Sequence, residues 1–242
     1  MSKKTYKFIV WIVLLYALVQ ISYLVAEYQI AGGKFGAPLD DVWIHVRFAE
    51  NLAHGLFYHY NPGEPTPGTT SPLWVVILSI PLLISEQLVL PFALLVCSGF
   101  FLWMLIELFR LCLRLGFNEG YAFIITLLTL FAGRLLWSSL SGMEITLFAL
   151  LSVLIFKNHL KELSTGKVTA MGGVLIGLAA NARPETYLLA GLYYITTIFL
   201  LGDKLRANLG RIVLSLAIFA VLLLPYPVFS YIHTKGFLPN TY

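Results

Sequence analysis

Charged side chains are scarce in this 242-residue chain, where Asp, Glu, Lys and Arg make up 12% of the residues and hydrophobic types 59%. Soluble domains carry roughly 25% charged residues. Mean hydropathy is +0.83, which excludes an ordinary soluble domain. The composition instead predicts a polytopic membrane protein that forms one transmembrane domain over residues 1–242, with no room for a separate globular module.

Cysteine is nearly absent, and the chain has no glycine-rich loop of the kind that cradles phosphates. The two cysteines, Cys97 and Cys112, lie in one apolar stretch and have the spacing of neither a metal site nor a disulfide scaffold. We interpret both as packing residues. Gly172 and Gly173 lie in an apolar segment, where glycines favour helix packing over nucleotide binding. The net charge of +4 does not indicate nucleic acid as a partner, because the basic residues lie in loops.

Apolar runs predict about seven transmembrane helices, since crossing the hydrocarbon takes about 20 residues. Lys3, Lys4 and Lys7 precede the first run, and no small-residue cleavage site follows it, so we expect a retained anchor. The run 72–84 is brief and contains Pro72 and Pro81. We predict that it lies at the outer surface without crossing. The predicted spans are 8–26, 88–109, 120–139, 143–160, 168–182, 186–201 and 211–232.

The basic residues predict the orientation. If 72–84 does not cross, eleven of the 16 Lys and Arg face the cytoplasm, as the positive-inside rule favours. The N-terminus is then cytoplasmic, and the loop 27–87 is extracytoplasmic. Most carboxylates and four of the five histidines also face outward, which predicts a polar site there. The eleven inward residues are Lys3, Lys4, Lys7, Arg110, Arg114, Lys157, Lys161, Lys167, Lys204, Arg206 and Arg211.

Two aspartates, Asp40 and Asp41, open an amphipathic segment within the loop 27–87. Apolar residues recur at helical spacing from Val42 to Ala53, which predicts a helix on the outer leaflet that ends at Gly55. Pro38 disfavours helix before it, so Asp40 is placed to cap the helix and Asp41 remains free to project. Carboxylates are costly near hydrocarbon, so we expect Asp41 to be functional.

Other polar residues on the predicted outer face have both functional and structural interpretations. His45, four residues after Asp41, either contacts a ligand or is an ordinary helix-surface histidine. Arg47 either binds a phosphate or pairs with Glu50. Glu144 either touches substrate or, in the first turn of a predicted span, interacts favourably with the helix dipole. Arg183 and Glu185 either touch substrate or pair across a turn.

Six motifs in chain order carry a resemblance to GT-C integral membrane glycosyltransferases. The sequence is similar to mycobacterial terminal arabinofuranosyltransferases and, more distantly, to the protein mannosyltransferase and aminoarabinose transferase group. The motifs are Asp-Asp-Val-Trp-Ile-His-Val-Arg-Phe-Ala-Glu-Asn-Leu-Ala-His-Gly from Asp40, then Asn-Pro-Gly-Glu, Gly-Thr-Thr-Ser-Pro-Leu-Trp, Ser-Gly-Met-Glu, Arg-Pro-Glu and Gly-Phe-Leu-Pro-Asn-Thr.

The resemblance implies an all-α module of seven membrane helices with surface helices, in the plasma (inner) membrane. It assigns the catalytic carboxylate to Asp41, with Asp40 second, acting as a base or beside a divalent metal. The donor would be a polyprenyl-phosphate sugar, and the acceptor a hydroxyl of a glycan, lipid or protein. Such enzymes continue further, so the chain is expected to be an N-terminal fragment. The expected substrate-binding residues are His45, Arg47, Glu144, Arg183, Glu185, Lys235 and Asn240.

The sequence analysis therefore favours an inverting membrane glycosyltransferase. A multi-pass transporter or flippase of lipid-linked or anionic substrates is the alternative, and an inactive fragment is a third. A transporter should place ionisable groups near the middle of the membrane, often in repeated, broken helices. Here the acidic residues gather at one predicted interface, and no internal repeat is evident.

Overall fold

The computed structural model describes residues 2–33 and 36–236 and confirms an all-α protein, 78% of it helical. A small antiparallel pair, β1 (His59–Asn61) and β2 (Glu64–Pro65), interrupts the helices. Two short 3-10 turns occupy Glu86–Leu88 and Gly202–Lys204. The helices are α1 (Lys3–Ile30), α2 (Asp41–Ala53), α3 (Pro72–Leu82), α4 (Val89–Arg114), α5 (Glu119–Leu130), α6 (Gly133–Ser138), α7 (Ile145–Thr165), α8 (Ala170–Ala182), α9 (Thr186–Leu201), α10 (Leu205–Leu223) and α11 (Pro225–Thr234).

The chain divides into two compact units. The first unit contains Met1–Val42 and Gln87–Val153, and the second contains Trp43–Glu86 and Leu154–Tyr242. Each unit combines two segments that are distant in the sequence. Two of the boundaries between the units fall within helices α2 and α7.

In the first unit, α1 packs against α4 and α5. Aromatic rings join these helices, with the Phe8 ring 5.0 Å from that of Phe123. A neutral polar cluster lies further along α1, where the Gln20 amide donates to the Tyr16 hydroxyl at 2.9 Å and Tyr16 donates to the Ser98 carbonyl at 2.5 Å. Hydrogen bonds between polar side chains commonly hold apolar membrane helices together.

In the second unit, α8 packs closely against α10 and also contacts α3. A Cβ added at Gly173 would lie 2.8 Å from the Ser215 carbonyl carbon, and one at Gly177 would lie 2.8 Å from the Leu222 side chain. The packing role predicted for the glycines of this segment is thus confirmed. Glycines spaced four apart let two helix backbones approach closely.

Three helical stretches of the described chain are long and apolar enough to cross a membrane: Lys3–Ile30, Glu86–Arg114 and Thr186–Leu223. The third stretch folds back on itself, because the Tyr194 hydroxyl on α9 lies 3.0 Å from the Ser215 hydroxyl on α10. The structure thus supports membrane-spanning helices but does not establish the predicted seven. Helix α3 has 11 residues, about 16 Å of helix, which is consistent with a segment that does not cross.

Two predicted spans are interrupted. The span 120–139 is divided into α5 and α6 at Phe131 and Ala132, just before Gly133, a poor helix former. The span 211–232 is divided into α10 and α11 at Leu224, because Pro225 follows it. Proline lacks the N–H that a continuous helix needs and suits the first turn of a new one.

Candidate functional site

The two aspartates lie at the start of α2. Asp41 is its first residue and Asp40 directly precedes it, and both are exposed. Asp40 therefore lies directly before the helix, at the position from which the sequence predicts it to cap. Within the part of the chain that the structure describes, neither carboxylate makes a hydrogen bond or an ion pair. A negative charge at a helix N-terminus is favourable by itself. Asp41 consequently offers a carboxylate that is open to a ligand.

The amphipathic character predicted for α2 is confirmed. Val42, Val46, Phe48 and Ala49 are each no more than 4% exposed. The helix ends at Ala53, two residues before Gly55, close to the predicted end. The buried stripe therefore determines which way the polar residues of α2 project.

The Ser141–Glu144 segment packs against the start of α2 within the first unit. Gly142 has a φ of +73°, and a Cβ placed there would lie 3.3 Å from Cγ1 of Val42, the residue after Asp41. Ser141 fixes the turn, since its hydroxyl donates to the Ser138 carbonyl at 2.9 Å and accepts from the Met143 N–H at 3.2 Å. Two of the predicted motifs are thus brought together.

Glu144 is 2% exposed and directly precedes α7. Its carbonyl accepts the N–H of Phe148 at 2.9 Å, which makes Glu144 the residue that caps the helix. The prediction that Glu144 lies in the first turn of a span was therefore wrong by one position, because Ile145 is the first helical residue. Because Glu144 is buried, its carboxylate is not exposed to solvent.

In the second unit, His45 is buried, at 4% exposure, and faces the segment that directly precedes α3. Its Nδ1 lies 3.4 Å from the Thr69 hydroxyl, which also accepts the Ser71 N–H at 3.2 Å. The Tyr226 hydroxyl of α11 donates to the Thr69 carbonyl at 2.6 Å. His45 thus belongs to an internal hydrogen-bonded group that holds the loop.

Arg47 and Asn51 attach β1 to α2. The Arg47 Nε donates to the Tyr60 carbonyl at 3.2 Å and its Nη1 to Glu50 at 3.2 Å. The Asn51 amide donates to the carbonyls of His59 at 2.7 Å and Tyr60 at 2.9 Å. The Glu50 pairing considered from the sequence is therefore present in the structure.

Tyr58 anchors the same loop on α11. Its ring lies 4.8 Å from that of Tyr226 and 5.1 Å from that of Phe229. Burial raises the pKa of Tyr58 to about 12. Its φ of +52° is unusual for a bulky residue and is retained where surrounding contacts hold it. The ring contacts with Tyr226 and Phe229 hold Tyr58 in this conformation.

Arg183 and Glu185 form an ion pair at the connection between α8 and α9. The Arg183 Nη2 lies 2.8 Å from Glu185 Oε1, and its Nε lies 3.2 Å from Oε2. The guanidinium thus contacts both carboxylate oxygens, as in a bidentate pair. The hydrogen bonds from Arg183 lower the pKa of Glu185.

A small cavity of about 10 Å³ in the second unit lies between two motif segments and α11. It is lined by Thr70, which precedes α3, by Asn181 at the end of α8, by Pro184 of the α8–α9 connection and by Tyr226 of α11. The volume is that of a single water molecule. Sequence reasoning missed Asn181 and Tyr226 as organising residues. Only the prolines on both sides of Tyr226 mark that position in the sequence.

Lys235 is exposed at the end of α11, with its Nζ 5.7 Å from the centre of the Tyr231 ring. Asn240 lies outside the described residues. Over the described ranges, no three His, Cys, Asp or Glu side chains gather to hold a metal ion.

No protein-family model, curated protein or solved structure matches this chain.

Proposed function

We propose that this chain is the membrane module of an inverting glycosyltransferase. It moves a sugar from a polyprenyl-phosphate donor to a hydroxyl acceptor on the outer face of the plasma membrane. One observation carries the proposal: an exposed Asp41 opens α2, and Gly142 brings the Ser141–Glu144 segment against Val42. Two of the motifs that carry the resemblance are thus neighbours although they are distant in the sequence.

The chemistry follows from an exposed carboxylate at this position. The acceptor hydroxyl attacks the anomeric carbon on the face opposite the phosphate. As the new C–O bond forms, Asp41 accepts the hydroxyl proton, and the bond to the phosphate oxygen breaks. Polyprenyl phosphate leaves with the bonding electrons, and the anomeric configuration inverts. Asp40 supports the helix end, and no step uses a metal.

Of the three basic residues proposed to meet the donor phosphate, Lys235 would not have to exchange a carboxylate partner. Arg47 pairs with Glu50 and Arg183 with Glu185, so each would have to exchange a carboxylate for a phosphate. Within the described ranges, Lys235 has no carboxylate in ion-pair distance, and its ammonium is exposed. We expect Lys235→Gln to raise the Kd for a polyprenyl-phosphate sugar, while Lys161→Gln leaves it unchanged. Equal Kd values for both variants would remove Lys235 from the donor site.

The proposed orientation puts the N-terminus in the cytoplasm and the loop 27–87 outside. The donor's lipid chain then stays in the bilayer, and its phosphate lies at the interface. The acceptor is a glycan, lipid or protein of the cell envelope that arrives from the aqueous side. Cysteine-accessibility labelling tests this orientation, because a cysteine at Glu86 should react from outside and one at Asn118 should not.

The decisive experiment compares source cells that lack the gene with cells complemented by wild type, Asp41→Asn or Asp40→Asn. Mass spectrometry measures lipid-linked sugars and envelope glycans. Asp41→Asn should match the deletion, because the base is lost, whereas Asp40→Asn should keep much of the activity, since asparagine also caps helices. Equal thermal stability in detergent confirms that each variant is folded.

Full complementation by Asp41→Asn would show that another group takes the proton. If deletion leaves every lipid-linked sugar and glycan unchanged, the glycosyltransferase proposal fails. A change in the sidedness of lipid-linked sugars, with the glycans intact, would favour a flippase.

A further inference from the structure

A buried amide joins two helix connections of the second unit. Asn208 on α10 is 2% exposed. Its Nδ2 donates to the carbonyls of Gly166 at 3.0 Å and Lys204 at 2.9 Å, and its Oδ1 accepts the Val168 N–H at 3.0 Å. These hydrogen bonds hold the α7–α8 connection next to the α9–α10 turn, so that the two form one surface.

Lys204 extends over the other connection. A Cβ added at Gly166 would lie 2.6 Å from the Lys204 Nζ and 2.9 Å from its Cε. Gly166 also has a φ of +67°, which other residues rarely adopt. The glycine, which directly precedes Lys167 in the chain, therefore leaves the space that the Lys204 side chain occupies.

Positive charge dominates this surface. We name Lys167, Lys204 and Arg206, all exposed, the basic platform. Two acidic residues lie close to these cations in the sequence, Asp203 in the α9–α10 turn and Glu162 in the last turn of α7. Asp203 is exposed, whereas Glu162 is 1% exposed. Glu162 accepts hydrogen bonds from the Thr169 N–H at 2.7 Å, the Thr169 hydroxyl at 2.6 Å and Tyr193 at 2.5 Å. It therefore does not reach the platform cations.

Large apolar side chains lie immediately beside the basic platform. Phe199 is 78% exposed and Leu200 64% exposed at the end of α9, and Leu209 is 53% exposed near the start of α10. Water would oppose such exposure, whereas lipid would favour it. Along these helices, the apolar side chains are followed by cations within one helical turn. Such a change marks the depth at which a bilayer changes from hydrocarbon to phosphate.

We propose that the basic platform binds the phosphates of anionic phospholipid head groups in the leaflet at which α9 and α10 meet. The apolar rim fits the acyl chains, and the platform cations, with Lys204 held over Gly166, fit the phosphates. Clusters of basic residues beside membrane helices attract anionic lipid by electrostatics, each residue by roughly fivefold in affinity. This proposal is independent of the glycosyltransferase proposal.

The test uses the full chain in neutral detergent, with bound lipid counted by native mass spectrometry during titration with phosphatidylglycerol or phosphatidylcholine. Wild type should prefer phosphatidylglycerol. Replacing the three platform cations with Gln should weaken its binding on the order of a hundredfold. The matched control replaces Lys3, Lys4 and Lys7 with Gln, which removes the same charge elsewhere, and should weaken binding less than the platform variant. Equal losses of phosphatidylglycerol binding in both triple variants would show that net charge alone explains the effect. That result would overturn the proposal.

A second pair of variants tests the geometry without changing the charge. Gly166→Ala should displace Lys204 and weaken phosphatidylglycerol binding several-fold. Gly116→Ala is the control, because its φ of +93° carries a similar backbone strain while its added Cβ meets nothing within 4 Å. Unchanged binding in Gly166→Ala would reject the role of the Lys204 position.

A competition experiment distinguishes a site for lipid from a site for free phosphate. Millimolar inorganic phosphate should not displace phosphatidylglycerol, because phosphate lacks the acyl chains that contact the rim. Displacement at that concentration would identify a site for soluble anions and overturn the lipid assignment.

Discussion

Gly173→Ala should destabilise the second unit by separating α8 from α10. The added Cβ would lie 2.8 Å from the carbonyl carbon and 3.0 Å from the Cα of Ser215. Carbon atoms in ordinary contact are about 3.5–4.0 Å apart. Because the obstacle is backbone, a change of rotamer cannot remove the overlap. The helices must therefore move apart by about 0.5–1 Å.

The magnitude follows from the dispersion energy lost across that gap. A gap of this size forfeits a quarter to a half of each contact, and each contact contributes about 0.1–0.2 kcal/mol. With about 40 atom pairs in the close approach, as for one buried leucine, the loss is about 2 kcal/mol. Overpacked cores lose a similar amount, about 1–3 kcal/mol. The unfolding equilibrium should shift about thirtyfold.

The assay is unfolding in mixed micelles of increasing SDS fraction, followed by circular dichroism. Gly191→Ala is the matched control, because Gly191 lies within α9 and its added Cβ meets nothing within 4 Å. Both variants gain the same helix propensity, about 1 kcal/mol, so their difference isolates the steric cost. Identical unfolding midpoints would refute the close approach of α8 and α10.

Two further predictions concern contacts of the segment before α3 and of the α8–α9 connection. Tyr226→Phe should lower the free energy of unfolding by about 1–3 kcal/mol, because it leaves the buried Thr69 carbonyl without its donor. Exposed Tyr121→Phe should have no effect, and a similar effect in both variants would contradict this interpretation. Arg183→Gln should remove a small, pH-dependent contribution to stability. Arg183 lowers the pKa of Glu185, so this contribution is present above about pH 4.5, the ordinary glutamate value, and is lost as the pH falls through the folded-state value. Thermal melts from pH 3 to pH 7 measure it, and parallel profiles for wild type and variant would contradict it.

The sequence predicted elements whose signal is local. The period of apolar residues from Val42 to Ala53 predicted α2, and its buried face confirms that interpretation. The breaks at Phe131 and Leu224 were not predicted as helix ends. Both fall in segments that are apolar on every side, where periodicity gives no boundary and only Gly133 and Pro225 hint at one.

The site was predicted less completely than the helices. The pairing of Arg47 with Glu50 and of Arg183 with Glu185 was foreseen as one alternative, because the partners are close in the sequence. The hydrogen bond from Tyr226 to Thr69 was not foreseen, since it joins residues 157 positions apart. Burial of His45 against the loop depends on that same long-range packing.

By itself, the sequence determined that this is a helical, membrane-type chain with an amphipathic helix opened by two aspartates. Hydropathy is a sum over residues, and helix periodicity is local, so both can be read without coordinates. Only the tertiary structure decided that Gly142 lies against Val42, that Glu144 and His45 are buried, and that Asn208 joins two basic connections. These contacts depend on the close packing of particular side chains from distant segments, and no local sum of residue properties specifies such packing.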